Sequence, residues 1–318
     1  MAVVLVTGGS GLVGKAIEWQ VEHNHPSTNG AKFIFLSSKD ADLRNLEQTR
    51  TAFMKHKPTH VIHLAARVGG LFKNMRSKVE MMTENIMINQ NVLQCAHECG
   101  VDRCVSMTST CVFPDKIPKY PITEDQLHDG PPHPSNEGYA YAKRMLEVLS
   151  RAYNEQYDRS YLTVIPTNVF GPHDNYSIED GHVAPGLMHK CYLAKQRGED
   201  LIIWGTGKPL RQFIFSRDLA DLVIWATLTY TGKDSLMLCP DENEEITISE
   251  LAKTVAECMD FPLDRLKYDT SKADGQEKKT VSNSRLRGLR PDFHFTPFKD
   301  AMKISTDWFQ ENYDKCRM

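Results

Sequence analysis

The 318-residue chain is poor in several features that would each have pointed to a different class of protein. It has no excess of positive charge: 38 Lys and Arg against 41 Asp and Glu leave a formal net charge of −3. No basic field is therefore available to hold nucleic acid, and any bound anion has to be caught by local groups. It has no long apolar run. Stretches such as Leu222–Ala226 fall far short of the ~18–20 residues that cross a bilayer, so no membrane partner is expected. The eight cysteines, at 95, 99, 104, 111, 191, 239, 258 and 316, contain no CxxC pair. The opening MAVVLVTGGSG has neither a basic leader nor a cleavage site. These features point to reduced thiols packed as small hydrophobes in a cytoplasmic protein. A chain this long can bury about three quarters of its surface without a staple, and no metal is expected. Internal repeats and low-complexity segments are absent as well.

What is present is a rhythm. Val3–Val6, Phe33–Leu36, Val61–Leu64, Cys104–Met107 and Leu162–Ile165 are short, nearly continuous apolar segments, the mark of strands covered on both faces. Amphipathic stretches at 12–23, 46–56, 76–99 and 138–156 lie between them. The alternation predicts an α/β fold: a Rossmann-type, doubly wound parallel sheet over 1–170, with a return segment near 213–240. Residues 171–318 are expected to form mainly a smaller α+β substrate domain, with strands at 201–204 and 212–215 and helices near 184–197, 217–229 and 249–259. Thr247 and Glu250 have capping-box spacing ahead of the last of these. The segment 113–137 breaks the rhythm with six prolines, and a structureless loop of that length is more often functional than accidental.

Thr7-Gly8-Gly9-Ser10-Gly11-Leu12-Val13-Gly14 joins the first strand to the first helix. Gly8 permits the sharp turn, Gly11 the approach of a pyrophosphate, and Gly14 the packing of helix on strand. The free N–H groups of the helix then face the phosphates. An NAD site places a carboxylate at the end of the second strand, about 20 residues on. This chain reads Ser37-Ser38-Lys39-Asp40 there, which favours NADPH/NADP+, with Lys39 as partner of the 2′-phosphate. Asp42 suits the adenine edge, and Leu64, Ala65 and Ala66 should line the trough. His63 reads as a packed strand histidine.

Tyr139 and Lys143 share one helical face at i, i+4 spacing. An ammonium beside a phenol lowers its pKa and makes it a usable acid. Ser109, just past the fourth strand, can hold a substrate carbonyl, although Thr108 or Thr110 has the same chemistry.

The glycine loop, the serine and the Tyr-x-x-x-Lys pair, with Asn168-Val169-Phe170-Gly171-Pro172, resemble the extended short-chain dehydrogenase/reductase superfamily. Ser109–Pro114, Gly171–Asn175, Ser177–Val183 and Trp204–Arg211 resemble, within it, the epimerase-reductases that turn GDP-4-keto-6-deoxy-D-mannose into GDP-L-fucose. This resemblance implies inversion at C3 and C5 followed by reduction at C4. Cys111 and His182 would be base and acid, with Ser109, Tyr139 and Lys143 at the carbonyl. It implies Lys190, Trp204, Arg211, Lys279 and Asn168 at the GDP-sugar, and Pro166, Asn168, Val169 and His182 beside the cofactor. Two departures stand out: Lys190 falls where some relatives carry Arg, and Ser10 where some bacterial ones do. A homodimer through the helices near 76–99 and 138–156 is a further implication. The alternatives are a nucleotide-sugar 4-epimerase or 4,6-dehydratase of the same fold, or an inactive NADP-binding regulator.

Overall fold

Strands covered on both faces must be apolar throughout, and the five short apolar runs do become neighbours in one sheet. The computed structural model describes residues 1–28 and 30–318. Its strands are β1 (Val3–Thr7), β2 (Lys32–Leu36), β3 (His60–His63), β4 (Arg103–Met107), β5 (Ser160–Pro166), β6 (Asn168–Phe170), β7 (Leu201–Trp204), β8 (Leu210–Arg211), β9 (Phe213–Phe215), β10 (Leu236–Leu238), β11 (Ile246–Thr247) and β12 (Leu266–Asp269). The helices are α1 (Leu12–Glu22), α2 (Leu46–His56), α3 (Leu71–Arg76), α4 (Lys78–Glu98), α5 (Glu137–Tyr157), α6 (Val183–Arg197), α7 (Ser216–Leu228), α8 (Ile248–Cys258), α9 (Ser284–Leu289) and α10 (Phe298–Glu311).

The main sheet has the order β2-β1-β3-β4-β5-β10 and is parallel throughout, as a Rossmann-type fold requires. Alternate residues face opposite sides. Val4 and Val6 pack with Ile17, Leu219 and Val223 of α1 and α7, whereas Leu5 and Val61 pack with Phe53, Val92 and Leu146 of α2, α4 and α5. The chain moves outward from β1 to β2 and comes back to β3. At that switch point the carboxyl ends of the strands leave a crevice, and the glycine loop opens into it.

A second core lies beyond this crevice, built on Phe170, Tyr176, Leu187, Leu251 and Phe309. It supports three two-stranded pairings, β6 with β9, β7 with β12 and β8 with β11. The Thr247–Glu250 capping box opens α8, with Glu250 N donating to Thr247 Oγ1 at 3.1 Å and Thr247 N donating to Glu250 Oε2 at 2.7 Å.

Two departures from the sequence reading bear on the site. The chain returns to the sheet twice, first as α7 and β10, then as α9, whose Leu286 joins the same core as Phe293. An edge strand such as β10 needs cover, and α9 packs on it, with Arg285 donating to Ser235 O at 2.9 Å. The helix expected at 76–99 forms as α4 (Lys78–Glu98), but an unexpected short helix, α3, precedes it, with a break between them at Ser77 (φ −124°, ψ 44°). The break turns α3 toward the second core, where Gly70 N donates to Asp180 O at 2.9 Å.

Candidate active site

The crevice at the switch point is a cleft of about 640 Å³. Its floor is backbone. A Cβ on Gly8 (φ +70°) would lie 2.8 Å from Ala65 N, and one on Gly14 would lie 2.5 Å from Gly9 O. α1 starts with Gly11 as its cap, without a side-chain cap bond or an acidic residue in the first turn. Its leading N–H groups are therefore free for an anion. A dinucleotide fits this cradle. Gly8, Ser10, Gly11, Leu12, Val13 and Gly14 line the cleft, as do Ser38, Asp42, Leu64, Ala65, Ala66, Lys143, Pro166, Asn168, Val169 and His182.

Three expected residues are not on the wall. Gly9 faces β2, with its N–H donating to Leu36 O at 2.7 Å. Lys39 and Asp40 stand outside because Asp40 closes a turn, its Oδ2 accepting from Ser37 N at 2.8 Å and from Ser37 Oγ at 2.7 Å. Arg44 and Arg67, which the sequence did not mark, do reach the wall. Arg44 Nη2 lies 2.9 Å from Asp42 Oδ2 and its Nη1 3.3 Å from Glu84 Oε2, while Arg67 Nη1 lies 2.9 Å from Glu84 Oε1. His63 is a packed strand histidine, as expected: it bonds Thr7 Oγ1 at 2.8 Å and Asn89 Oδ1 at 3.0 Å, and burial pushes its pKa down to about 3.

A second cavity of about 300 Å³ adjoins the cleft. Gly69, Ser109, Tyr139, Asn168, Val169 and His182 line both, so these residues form the junction. Cys111, Lys190, Trp204, Arg211 and Lys279 line the second cavity alone. The choice among hydroxyls narrows here: Thr108 Oγ1 is committed to Val164 O at 3.0 Å, whereas Ser109 and Thr110 both reach the cavity.

Charge at the junction departs from the simple expectation for Tyr139 and Lys143. Lys143 Nζ donates to Met107 O at 2.8 Å and lies 5.7 Å from the centre of the Tyr139 ring. Burial pushes Lys143 down to about 8, and burial, reinforced by Cys111, pushes the Tyr139 phenol well up. Desolvation of a charged form outweighs a cation that is near but not bonded. The phenol therefore keeps its proton. Burial also raises the Cys111 thiol, against the pull of Lys279, Ser109 and Lys143. Lys279 itself is pushed down to about 8 by burial. His182 caps α6 and opens to the cavities; the surrounding protein and then Arg317 hold its pKa below the ordinary value.

Lys190 and Trp204 are one unit, with the ammonium 3.4 Å from the ring centroid and the edge of Phe72 completing the stack at 5.4 Å. Asn74, His133, Ser135, Asn136 and Gln276 also line the cavity and carried no motif. The proline-rich loop was the one available signal for the middle three.

The model of the "NAD dependent epimerase/dehydratase family" matches residues 4–236. The chain is 57% identical over 314 residues to a GDP-L-fucose synthase of Dictyostelium discoideum, covering 99% of this chain and 97% of that one. It is 49% identical to a probable GDP-L-fucose synthase of Drosophila melanogaster, with both chains covered completely. A crystal structure of a GDP-L-fucose synthetase from Naegleria fowleri bound to NADP is similar at a TM-score of 0.93 and 50% identity, over 100% of this chain and 95% of that chain.

Proposed function

Since the chain belongs to the NAD dependent epimerase/dehydratase family and, within it, to the GDP-L-fucose synthases, we infer that its adjoining cavities convert GDP-4-keto-6-deoxy-D-mannose to GDP-L-fucose. The enzyme is an NADP-dependent epimerase and reductase. One observation carries the assignment of residues: Ser109, Tyr139 and His182 stand where the cofactor cleft meets the cavity that holds Cys111.

The C4 ketone acidifies the protons at C3 and C5. Cys111 removes them as base, and the ammoniums of Lys279 and Lys143 oppose the cost that burial places on its thiolate. His182 returns a proton from the other face. Its pKa is held below the ordinary value, so it is neutral near pH 7 and takes a proton from solvent, to which it is exposed, before it donates. Ser109 and Tyr139 donate hydrogen bonds to the oxygen that gathers charge. The nicotinamide, when bound, supplies the hydride for C4. Tyr139, whose phenol stays protonated, gives its proton to that oxygen, and Lys143 keeps the surroundings positive.

The sheet lobe holds the cofactor and the smaller lobe holds the GDP-sugar. Arg211 and Lys279 supply charge for the substrate diphosphate, and Lys190 with Trp204 forms a platform beside it. At the adenosine end Ser38 and Arg44 take the 2′-phosphate, Arg44 replacing Lys39 because it reaches the wall. The chain pairs with a second copy through α4 and α5, which leave Val79, Met82, Met87 and Met145 exposed. Val79→Glu with Met145→Glu would split that dimer in sedimentation, and an unchanged mass would refute the interface. The compartment is the cytoplasm, a reading supported by eight free thiols. No helix among the described residues is long and apolar enough to cross a membrane.

The reaction is tested by NADPH absorbance with GDP-4-keto-6-deoxy-D-mannose. One NADPH consumed per substrate is expected, and no consumption would overturn the reading.

A further inference from the structure

A bound dinucleotide brings a diphosphate and a 2′-phosphate into the cleft, and the glycine loop offers no cation to meet them. Ser10 is neutral, and Lys15 is bonded to Glu18 Oε2 at 2.5 Å. The end of a helix supplies only about half a positive charge. Four cations line the cleft: Arg44, Arg67, Lys143 and Arg317. The first two are paired with Asp42 and Glu84, and Lys143 is bonded to Met107 O. Of these four, Arg317 alone has neither an ion pair nor a side-chain hydrogen bond to the described residues.

The fold holds the backbone of Arg317 in place. Tyr176 N donates to Arg317 O at 2.8 Å, and Asn175 and Arg317 form a parallel bridge. The segment after α10 is anchored in turn by the Tyr176 and Phe309 rings, stacked at 4.2 Å, and by Tyr313 Oη, 3.2 Å from His189 Nε2. Asp174 and Asn175 of the 173–176 loop line the same cleft as Gly11–Gly14 at the start of α1. Arg317 thus lines the same cleft as the start of α1, whereas Arg44 stands on the segment that follows β2.

We propose that Arg317 is the counter-ion of the cofactor diphosphate, carried to the cleft by the segment that follows α10. A guanidinium suits this task because its planar fork can bond two phosphate oxygens at once. Asp174 lines the same cleft. Its Oδ1 accepts from Asn175 N at 2.7 Å, and its Oδ2 is buried without a partner. Burial pushes this carboxyl up to about 7, so much of it is neutral near pH 7 and its repulsion of the diphosphate is weakened. Residues more than 300 positions from the glycine loop would complete the site that the loop begins.

This proposal rests on the reading that the cleft takes NADP(H). The test is titration of the full chain, free of substrate, with NADPH and separately with adenosine 2′-phosphate, which lacks the diphosphate. For Arg317→Ala, loss of a charge-assisted bond predicts NADPH binding about 10- to 100-fold weaker, with adenosine 2′-phosphate unchanged. Unchanged NADPH affinity would overturn the proposal. So would an equal loss for both probes, since Arg317 would then act on the whole site. If the unaltered chain binds no NADPH, the cofactor reading fails instead.

Discussion

The two cavities meet at six shared residues yet are built in opposite ways. The cofactor cleft rests on a backbone floor: a glycine loop, free N–H groups at a helix end, and the carboxyl ends of parallel strands. The sugar cavity is largely side chains, gathered from the β4 end, the proline-rich loop, the start of α6, β7 and the 273–279 segment. A backbone cradle depends on conformation and tolerates exchange of most side chains around it. A cavity of converging side chains depends on each of them. Substitutions should therefore act sharply and separately in the second, and more weakly in the first.

The largest effect is expected at the junction. Tyr139→Phe removes the donor at the reacting oxygen and should slow NADPH consumption by about 10²–10⁴-fold, with a smaller loss of deuterium uptake at C3. Equal losses would mean that Tyr139 does not act mainly in reduction. Next, Cys111→Ser should cut deuterium uptake at C3 and C5 by at least about 100-fold and leave NADPH affinity unchanged. If uptake persists, another group is the base.

On the cofactor side, Arg44→Ala should cost about 10-fold in NADPH affinity, with NADH affected less; an equal fall for both nucleotides would remove Arg44 from the 2′-phosphate. A pH series separates two groups. Lys143 loses its charge as pH rises through about 8, so reduction supported by that charge should fall about tenfold between pH 7 and 9. The Cys111 thiol is raised, so deuterium uptake should increase over the same range. Parallel slopes would show that one group governs both steps. The smallest effect is expected for Lys39→Ala, less than about twofold in NADPH affinity, because an exposed lysine off the wall is screened by salt. A tenfold loss there would restore Lys39 as the phosphate partner.

What was legible follows the same division. The glycine loop, the apolar strands and the Tyr139–Lys143 face are local patterns of period or spacing, and each formed as read. Lys39, expected at the 2′-phosphate, lies on an exposed turn off the cleft wall, where the carboxylate of Asp40 accepts from Ser37, and the Lys39→Ala titration decides whether it meets the phosphate. Ser109 could not be separated from Thr108 by sequence, since the difference lies in a bond from Thr108 to β5. Lys190, Arg211 and Lys279 were reached through resemblance, because no periodicity joins residues so far apart.

The amino-acid sequence by itself determined the parallel sheet, the switch-point crevice, the phosphate-binding loop and the chemical types present. Those follow from backbone preference and from which faces must leave water. Tertiary structure alone decided which cations face the cleft, which hydroxyl is free, and how burial moves the charge of Tyr139, Lys143 and Cys111. Electrostatic energy and desolvation depend on what lies within a few ångströms, and here those neighbours come from distant parts of the chain.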